Sequence, residues 1–425
     1  MPADSAIDWQ AHKAVVFESD DWGNCGMCPD PDTMERVRQH PRVQQTIADR
    51  GGRWISIETT LEQVADLDAL FDVLQRHRGA DGQPAVFTAF YPTANPDYDA
   101  IRKSNFTEYH DIPIDAGWSQ GWRSDGSIAA ARDGMSRGLW CPEFHARLHH
   151  CSPKTWLEIL RGGHDDTDVY RMLFDNHVYE FDRHLPEYER MTIREQLDWL
   201  RPAVDAFERA FGVRAMCAVN SDAIPGTEES YALCGIRTRC LKSVVLNNGR
   251  QVRPYGKGKP DSVMDATNPM GRYNRFLDLV YLNRNAFFEV AAGRPEVLDE
   301  GYQAILGCWQ RGEPAVVSTH CAGYCSNVPE VAPQGRAMLD ELLGRLIAEH
   351  PDMVFMTSWE VAQLCRVGTS AARYGESWVL RNYGAAEAAI AAHASGPAVD
   401  LRSGREFAPV EAGAYRLPPG DYKVG

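Results

Sequence analysis

Two textures of apolar residues alternate along most of the chain. Short unbroken runs such as "AVVF", "PAVFTAFY", "VRAMCAV" and "PAVVST" have the length and the β-branched or aromatic content of buried strands. Between them lie longer stretches with an apolar residue at every third or fourth position, the period of a helix with one buried face. In "TLEQVADLDALFDVLQRHRG", Leu61, Val64, Leu67, Leu70, Phe71 and Leu74 share such a face, and Gly79 stops the pattern. "CSPKTWLEILRGG" predicts a helix capped by Ser152, with Pro153 in its first turn and Gly162 at its end. "MTIREQLDWLRPAVDAFERAFG" carries a capping box from Thr192 to Glu195, and Pro202 inside it predicts a kink or a division into two helices.

The alternation runs on through "PEVLDEGYQAILGCWQRG", "PAVVSTH", "QGRAMLDELLGRLIAEH", "DMVFMTS" and "WEVAQLCRVG". Helix between strands predicts an α/β fold with a parallel sheet and crossover helices, and the number of strand candidates favours closure into a barrel. "LNNGRQVRPYGKGKPDSVMDATNPMGRYN" interrupts the rhythm and reads as a hairpin followed by a long Gly/Pro/Asn-rich loop of the kind that covers active sites. After about residue 368 the texture changes to short strand-like pieces with Gly/Pro turns. The expected organisation is therefore a barrel over residues 1–368 and a small β-rich C-terminal module over 369–425, packed on the barrel.

Composition narrows the function classes. The 425 residues are 44% hydrophobic and 24% charged, an ordinary globular balance, and the formal net charge is −15. That charge argues against a nucleic-acid or anionic-membrane surface. No apolar run approaches a membrane span and the N-terminus lacks a basic-then-apolar leader, so a cytoplasmic protein acting on a small-molecule or oligosaccharide substrate is expected.

Chemistry concentrates where strands end. "AVVFESDDWG" delivers Asp20 and Asp21, "PAVVSTH" delivers His320, and "VRAMCAVN" delivers Asn220, with Asp222 just after. In barrels of parallel strands, function gathers at the C-terminal strand ends. Between strands lies "CPEFHARLHHC", in which His145 and His149 are four residues apart, a spacing that on a helical turn would bring both imidazoles to one metal ion. Two histidines and a carboxylate leave coordination positions open for water, as hydrolytic metal sites require. Each feature has a plainer alternative: an Asp-Asp pair capping a helix or turn, a surface histidine pair, a core histidine at a strand end.

Their order along the chain resembles the polysaccharide deacetylase superfamily, the chitooligosaccharide-deacetylase homology domain. "SDDWG" is similar to its first motif, "HARLH" to its second and "STH" to its last, and "AFYPTANPDYDAI", "CPEFHARLHH" and "YLNRNAFFE" are similar to phrases of a less typical bacterial branch. The likeness spans roughly residues 12 to 366. It implies a distorted (β/α) barrel with Asp20 as general base, Asp21, His145 and His149 as ligands of one divalent transition metal of the zinc type, and His320 as general acid. The implied activity is removal of an acyl group, most often acetyl, from an amide nitrogen on a carbohydrate or related amine, with metal-bound water as nucleophile. Hydrolysis of another non-peptide C–N bond is the enzymatic alternative, and a non-catalytic carbohydrate-binding protein on the same fold is the alternative of another class.

Two departures stand out. The family's Arg-x-Pro-aromatic motif, which orients the base, is absent from "AVNSDAIPG", leaving Arg147 or Arg284 to substitute or to bind substrate. Trp22 replaces the glycine that follows the paired aspartates, and reads either as a wall for a sugar ring or as core packing. Cys25 and Cys28 follow the aspartates, Cys141 and Cys151 flank the histidine motif, and Cys321 and Cys325 follow His320. An additional Cys-bound metal or iron–sulfur cluster, a disulfide within Cys25/Cys28 or Cys321/Cys325, and buried thiols are the readings open for them, and a redox protein built on these cysteines is a third function class. His110, His164, Asp165, Asp166, Asp168, His177 and His184 read as loop residues.

Overall fold

The computed structural model describes residues 7–149, 151–181, 185–219, 223–242, 245–247, 250–252 and 270–425. Eight parallel strand segments form the main path of a ten-stranded central sheet, whose other two strands, Tyr273–Asn274 and Val354–Phe355, are short: β1 (Ala14–Asp20), β2 (Phe87–Pro92), β3 (Trp140–Ala146), β4 (Cys217–Val219), β5 (Thr238–Lys242), β6 (Leu279–Arg284), β7 (Ala286–Phe287) and β8 (Ala315–His320). Their spatial order is β6-β5-β4-β3-β2-β1-β8-β7, and every neighbouring pair is parallel. The two ends of that order, β6 and β7, are one run of chain broken only at Asn285. The sheet is therefore wrapped into a distorted (β/α) barrel whose seam lies at this residue. Asn285 stitches the seam by accepting from Val316 N (2.9 Å) and donating to the Pro314 carbonyl (3.0 Å).

Strand residues alternate between helices and barrel interior. On β1, Val15 and Phe17 face outward into the main core with Leu67, Leu70, Phe71 and Leu74 of the helix Val64–Arg76. Ala14 and Val16 face inward, among Val280, Leu282, Val316 and Met356. The next two inward positions are Glu18 and Asp20. The lumen is thus apolar at the bottom and charged at the top, where the strands end.

Several helices follow the sequence pattern closely. Ser152 caps Pro153–Arg161 and Gly162 ends it; Thr192 and Glu195 form the capping box of Ile193–Phe211. Pro202 does not divide that helix, which runs unbroken because Leu200, Ala203, Val204, Phe207 and Phe211 on both sides of the proline are buried on one face. Two helices in "CPDPDTMERVRQHPRVQQTIAD", Pro31–Arg38 and Pro41–Asp49, were not anticipated. The segments following β1, β2 and β3 join in a second core, with Trp54, Tyr98, Trp156, Phe174 and Tyr179 at its centre. Asp166 precedes the helix Thr167–Asp175, so the acidic "HDDTD" stretch is a helix start and not a plain loop.

Residues Thr369–Val424 form a five-stranded antiparallel sheet and a two-stranded ribbon. This module docks at the end of the barrel where the strands begin. Its fully buried Arg381 donates to Asp81 (2.6 Å), in the turn before β2, and to Glu360 (3.3 Å), while Tyr383 stacks on His12 just before β1. Of the interrupting segment, the hairpin Val245–Asn247/Arg250–Val252 is present, and residues 253–269 lie outside the described residues. Among the described residues no helix is long and apolar enough to cross a membrane.

Candidate active site

The end of β1 separates its two aspartates by backbone conformation. Asp20 closes the strand in register with His320 on β8, so the two side chains flank each other, with Asp20 Oδ2 3.8 Å from His320 Nε2. Asp21 adopts a left-handed φ of 74°, which is uncommon for a residue with a side chain and turns its carboxylate away from the strand face. Its surroundings fix that turn. The Cys321 thiol donates to the Asp21 carbonyl (3.4 Å), Trp22 N donates to Phe90 O (3.2 Å), and Gly23 N donates to Glu62 Oε2 (2.9 Å).

Asp21 Oδ1 lies 2.9 Å from His149 Nε2 and 3.4 Å from His145 Nε2. These three buried residues form the only group of three or more His, Cys, Asp or Glu side chains with ligand atoms within 4.8 Å of one another among the described residues. The histidines do not share a helical turn. His145 is an inward-facing position of β3, and His149 returns to the same carboxylate from the bend after the strand, so "CPEFHARLHHC" begins as a strand and is not a connection between strands.

The donor set suits a divalent cation. Asp21 Oδ1 is buried without a well-formed hydrogen bond although it faces two imidazole nitrogens, which is the arrangement of ligand atoms turned toward a shared centre. Burial alone would raise the Asp21 carboxyl, but the His149 and His145 rings hold it well below the usual carboxylate range. Burial likewise opposes charge on His149, yet Asp21 on one ring nitrogen and Glu180 on the other hold its pKa well above that of a free histidine. Two imidazoles and one carboxylate could together hold a divalent metal ion.

Asp20 is held from beneath by Arg284 at the end of β6. The guanidinium makes bonds of 2.5 Å to both Asp20 oxygens, and its Nε bonds Glu18 Oε2 at 2.6 Å. Arg284 also donates to Ser318 Oγ (3.3 Å), and Ser358 Oγ donates to the other Glu18 oxygen (2.7 Å). Desolvation would raise the Asp20 pKa, but Arg284 overrides it and brings the group down to about 2. Burial would lower the His320 pKa, and here the carboxylate of Glu289, hydrogen-bonded to Nδ1, joins Asp21 and Asp20 in raising it. At neutral pH the pair is therefore an ionised carboxylate beside an imidazole biased toward protonation.

Other predicted positions fall elsewhere. Arg284 is fully buried, and its guanidinium is spent on Asp20, Glu18 and Ser318. Arg147 makes a bidentate pair with Asp111 (2.8 and 3.0 Å) and stacks on Trp199. Trp22 belongs to the core: it is fully buried, its Nε1 donates to Ser19 Oγ (2.9 Å), and its ring meets Trp140 edge-on at 4.7 Å. Asn220, Asp222 and His184 lie outside the described residues.

The cysteines are free thiols. Cys25 packs with Met27, Leu61 and Trp122, whereas Cys28 packs in the second core, so their side chains diverge and form neither a disulfide nor a chelate. Cys321 and Cys325 spend their protons on carbonyls, of Asp21 and of Thr60 and Cys321 respectively, and burial pushes the Cys321 thiol up, against metal binding as thiolate. Two carboxylates that bond site histidines, Glu180 on His149 and Glu289 on His320, were not anticipated. Glu289 stands in the quoted phrase "YLNRNAFFE", and a carboxylate five residues after an arginine at a strand end was the available signal; Glu180 had none.

No family model matches the chain, and no curated protein matches it. Among solved structures, similar folds include one assigned to a polysaccharide deacetylase from Mycobacterium smegmatis, with 14% identity, TM-score 0.40, and coverage of 86% of this chain and 93% of that one. Another is the Puue allantoinase (12%, 0.39, 85% and 96%), and a third is assigned to a polysaccharide deacetylase of Pseudomonas aeruginosa PAO1 (11%, 0.38, 83% and 91%). At these distances the chemistry rests on the residues of the site.

Proposed function

We propose that this chain is a metal-dependent hydrolase that removes an N-acyl group, in the simplest case acetyl, from a carbohydrate or a related amine-bearing small molecule. The observation carrying the reading is the adjacency of two oppositely poised groups, Asp20 and His320, beside a buried Asp–His–His triad. A divalent ion of the zinc type held by Asp21, His145 and His149 would polarise the acyl carbonyl and acidify water.

The residues then divide the proton work. Asp20, kept ionised by Arg284, accepts the proton of the attacking water. Its fixed bidentate pairing sets which lone pair faces the site. His320, whose pKa Glu289 raises, donates to the amide nitrogen as the C–N bond breaks, so the amine leaves neutral. Each such transfer typically contributes 10²–10⁴-fold. A binding protein has no use for an imidazole raised beside an ionised carboxylate, which favours catalysis over carbohydrate binding alone. The same groups would serve another non-peptide C–N bond, so the acyl-amine substrate is the testable part.

The decisive experiment measures metal content and acetate release together. One equivalent of transition metal, lost in Asp21→Ala and His145→Ala, and acetate released from N-acetylated sugars by the native protein but at least 10²-fold slower in Asp20→Asn, are expected. Full metal retention in both alanine variants overturns the site. Release from cyclic amides but from no acylated amine transfers the activity to the alternative bond.

A further inference from the structure

We infer that Glu180 is the positioning residue of this metal centre, and that the loop after β1, "GNCG", is built to hold its carboxylate. The inference rests on the metal reading above and concerns a residue outside the triad. Glu180 Oε1 lies 2.6 Å from His149 Nδ1, and the opposite ring nitrogen, Nε2, is the one facing Asp21. A carboxylate at Nδ1 places the proton there, leaves the Nε2 lone pair for the metal, and fixes the ring plane.

The holding of Glu180 is itself specific. Asn24 Nδ2 donates to the same Oε1 at 2.7 Å. Asn24 is in turn locked through its carbonyl oxygen, which accepts from Gly26 N (2.9 Å) and from Tyr179 Oη (2.9 Å). The Gly26 carbonyl accepts from both Tyr179 N (3.2 Å) and Glu180 N (3.0 Å). A Cβ on Gly26 would stand 2.3 Å from Glu180 Oε1, so only glycine admits the carboxylate at this place. Among the described residues the ion-pair partner of Glu180 is His149. The segment 23–26 thus runs on from Asp21 to the residue that orients His149, and the two sides of the triad are set by one loop.

A carboxylate in this position makes the imidazole a stronger donor and adds a second negative charge against the cation. Loss of such a partner typically weakens metal affinity 10–100-fold. The test titrates metal-free protein with Zn²⁺ against a chromophoric chelator and records the visible spectrum of the Co²⁺ form, without reference to turnover. Glu180→Gln, which keeps the size and one hydrogen bond, is expected to raise the Zn²⁺ dissociation constant at least tenfold and to change the Co²⁺ bands. Gly26→Ala, which leaves the carboxylate but displaces it, should weaken binding in the same direction. Thermal unfolding of the metal-free variants reports whether they fold like the native chain. Native-like folding with an unchanged dissociation constant in Glu180→Gln overturns the inference. If the native chain itself takes up no metal, the reading of the triad fails instead. Should Glu180→Gln not fold, the Gly26→Ala titration decides, and unchanged affinity there overturns the inference equally.

Discussion

At the scale of single residues, Asp20 and Asp21 acquire different surroundings from one left-handed residue. The strand carries Asp20 onto the lumen face beside His320, and the φ of 74° at Asp21 sends the next carboxylate to the histidines. The pairing of Asp20 with Arg284 and of His320 with Glu289 gives opposite charge biases to groups 3.8 Å apart. A pH profile tests this directly. His320 is raised above the ordinary histidine value, so its protonated fraction, and with it the activity, falls as pH rises through the raised pKa. Removing the carboxylate lowers that pKa, so in Glu289→Gln the alkaline limb of kcat should move to lower pH, by roughly one unit or more. An unmoved limb would remove His320 from the role of general acid. The residues that the structure brings together at the candidate site were legible in the sequence because most of them stand at strand ends. Glu180 was not, since a carboxylate that bonds another side chain leaves no spacing of its own, and Glu289 had only its place five residues after Arg284 as a signal.

At the scale of elements, the site depends on how two short strands are joined. Arg284 ends β6, Phe287 ends β7, and Asn285 between them bonds the edge of β8, which carries His320. Asn285→Ala would leave the Val316 amide and the Pro314 carbonyl without these partners. The cost expected is about 1–3 kcal/mol, read as a lower urea midpoint. A larger fall in kcat than in substrate affinity should accompany it, because Arg284 and Glu289 flank the seam. Loss of stability with unaltered kcat would show that the seam closes the barrel without setting the site. Helices with explicit caps, at Ser152 and Thr192, could be read to the residue. β3 could not: "WCPEFHA" contains a proline and two charged or ionisable residues, and its strand character comes from neighbours β2 and β4 rather than from its own pattern. The His-x-x-x-His spacing picked out two residues that the structure does bring to Asp21, but through a strand end and a bend in place of a helical turn.

At the scale of the whole molecule, charge and packing are separated along the barrel axis. The upper lumen gathers Glu18, Asp20 and Arg284 under the triad, whereas the lower lumen is apolar and ends against the C-terminal sheet. That sheet is fastened by Arg381, which is buried with Asp81 and Glu360 and also pairs with Asp421 at 2.9 Å. Removing the cation strands carboxylates that cannot reach water, the costly way to break a buried ion network, at about 3–5 kcal/mol. Arg381→Met should therefore lower the global unfolding midpoint and open the connection near Gly368 and Thr369 to limited proteolysis. The triad lies at the opposite ends of the strands, so the folded variant should keep its metal stoichiometry and its Zn²⁺ affinity. If metal binding falls together with docking, the module supports the site through the barrel and does more than close its lower end.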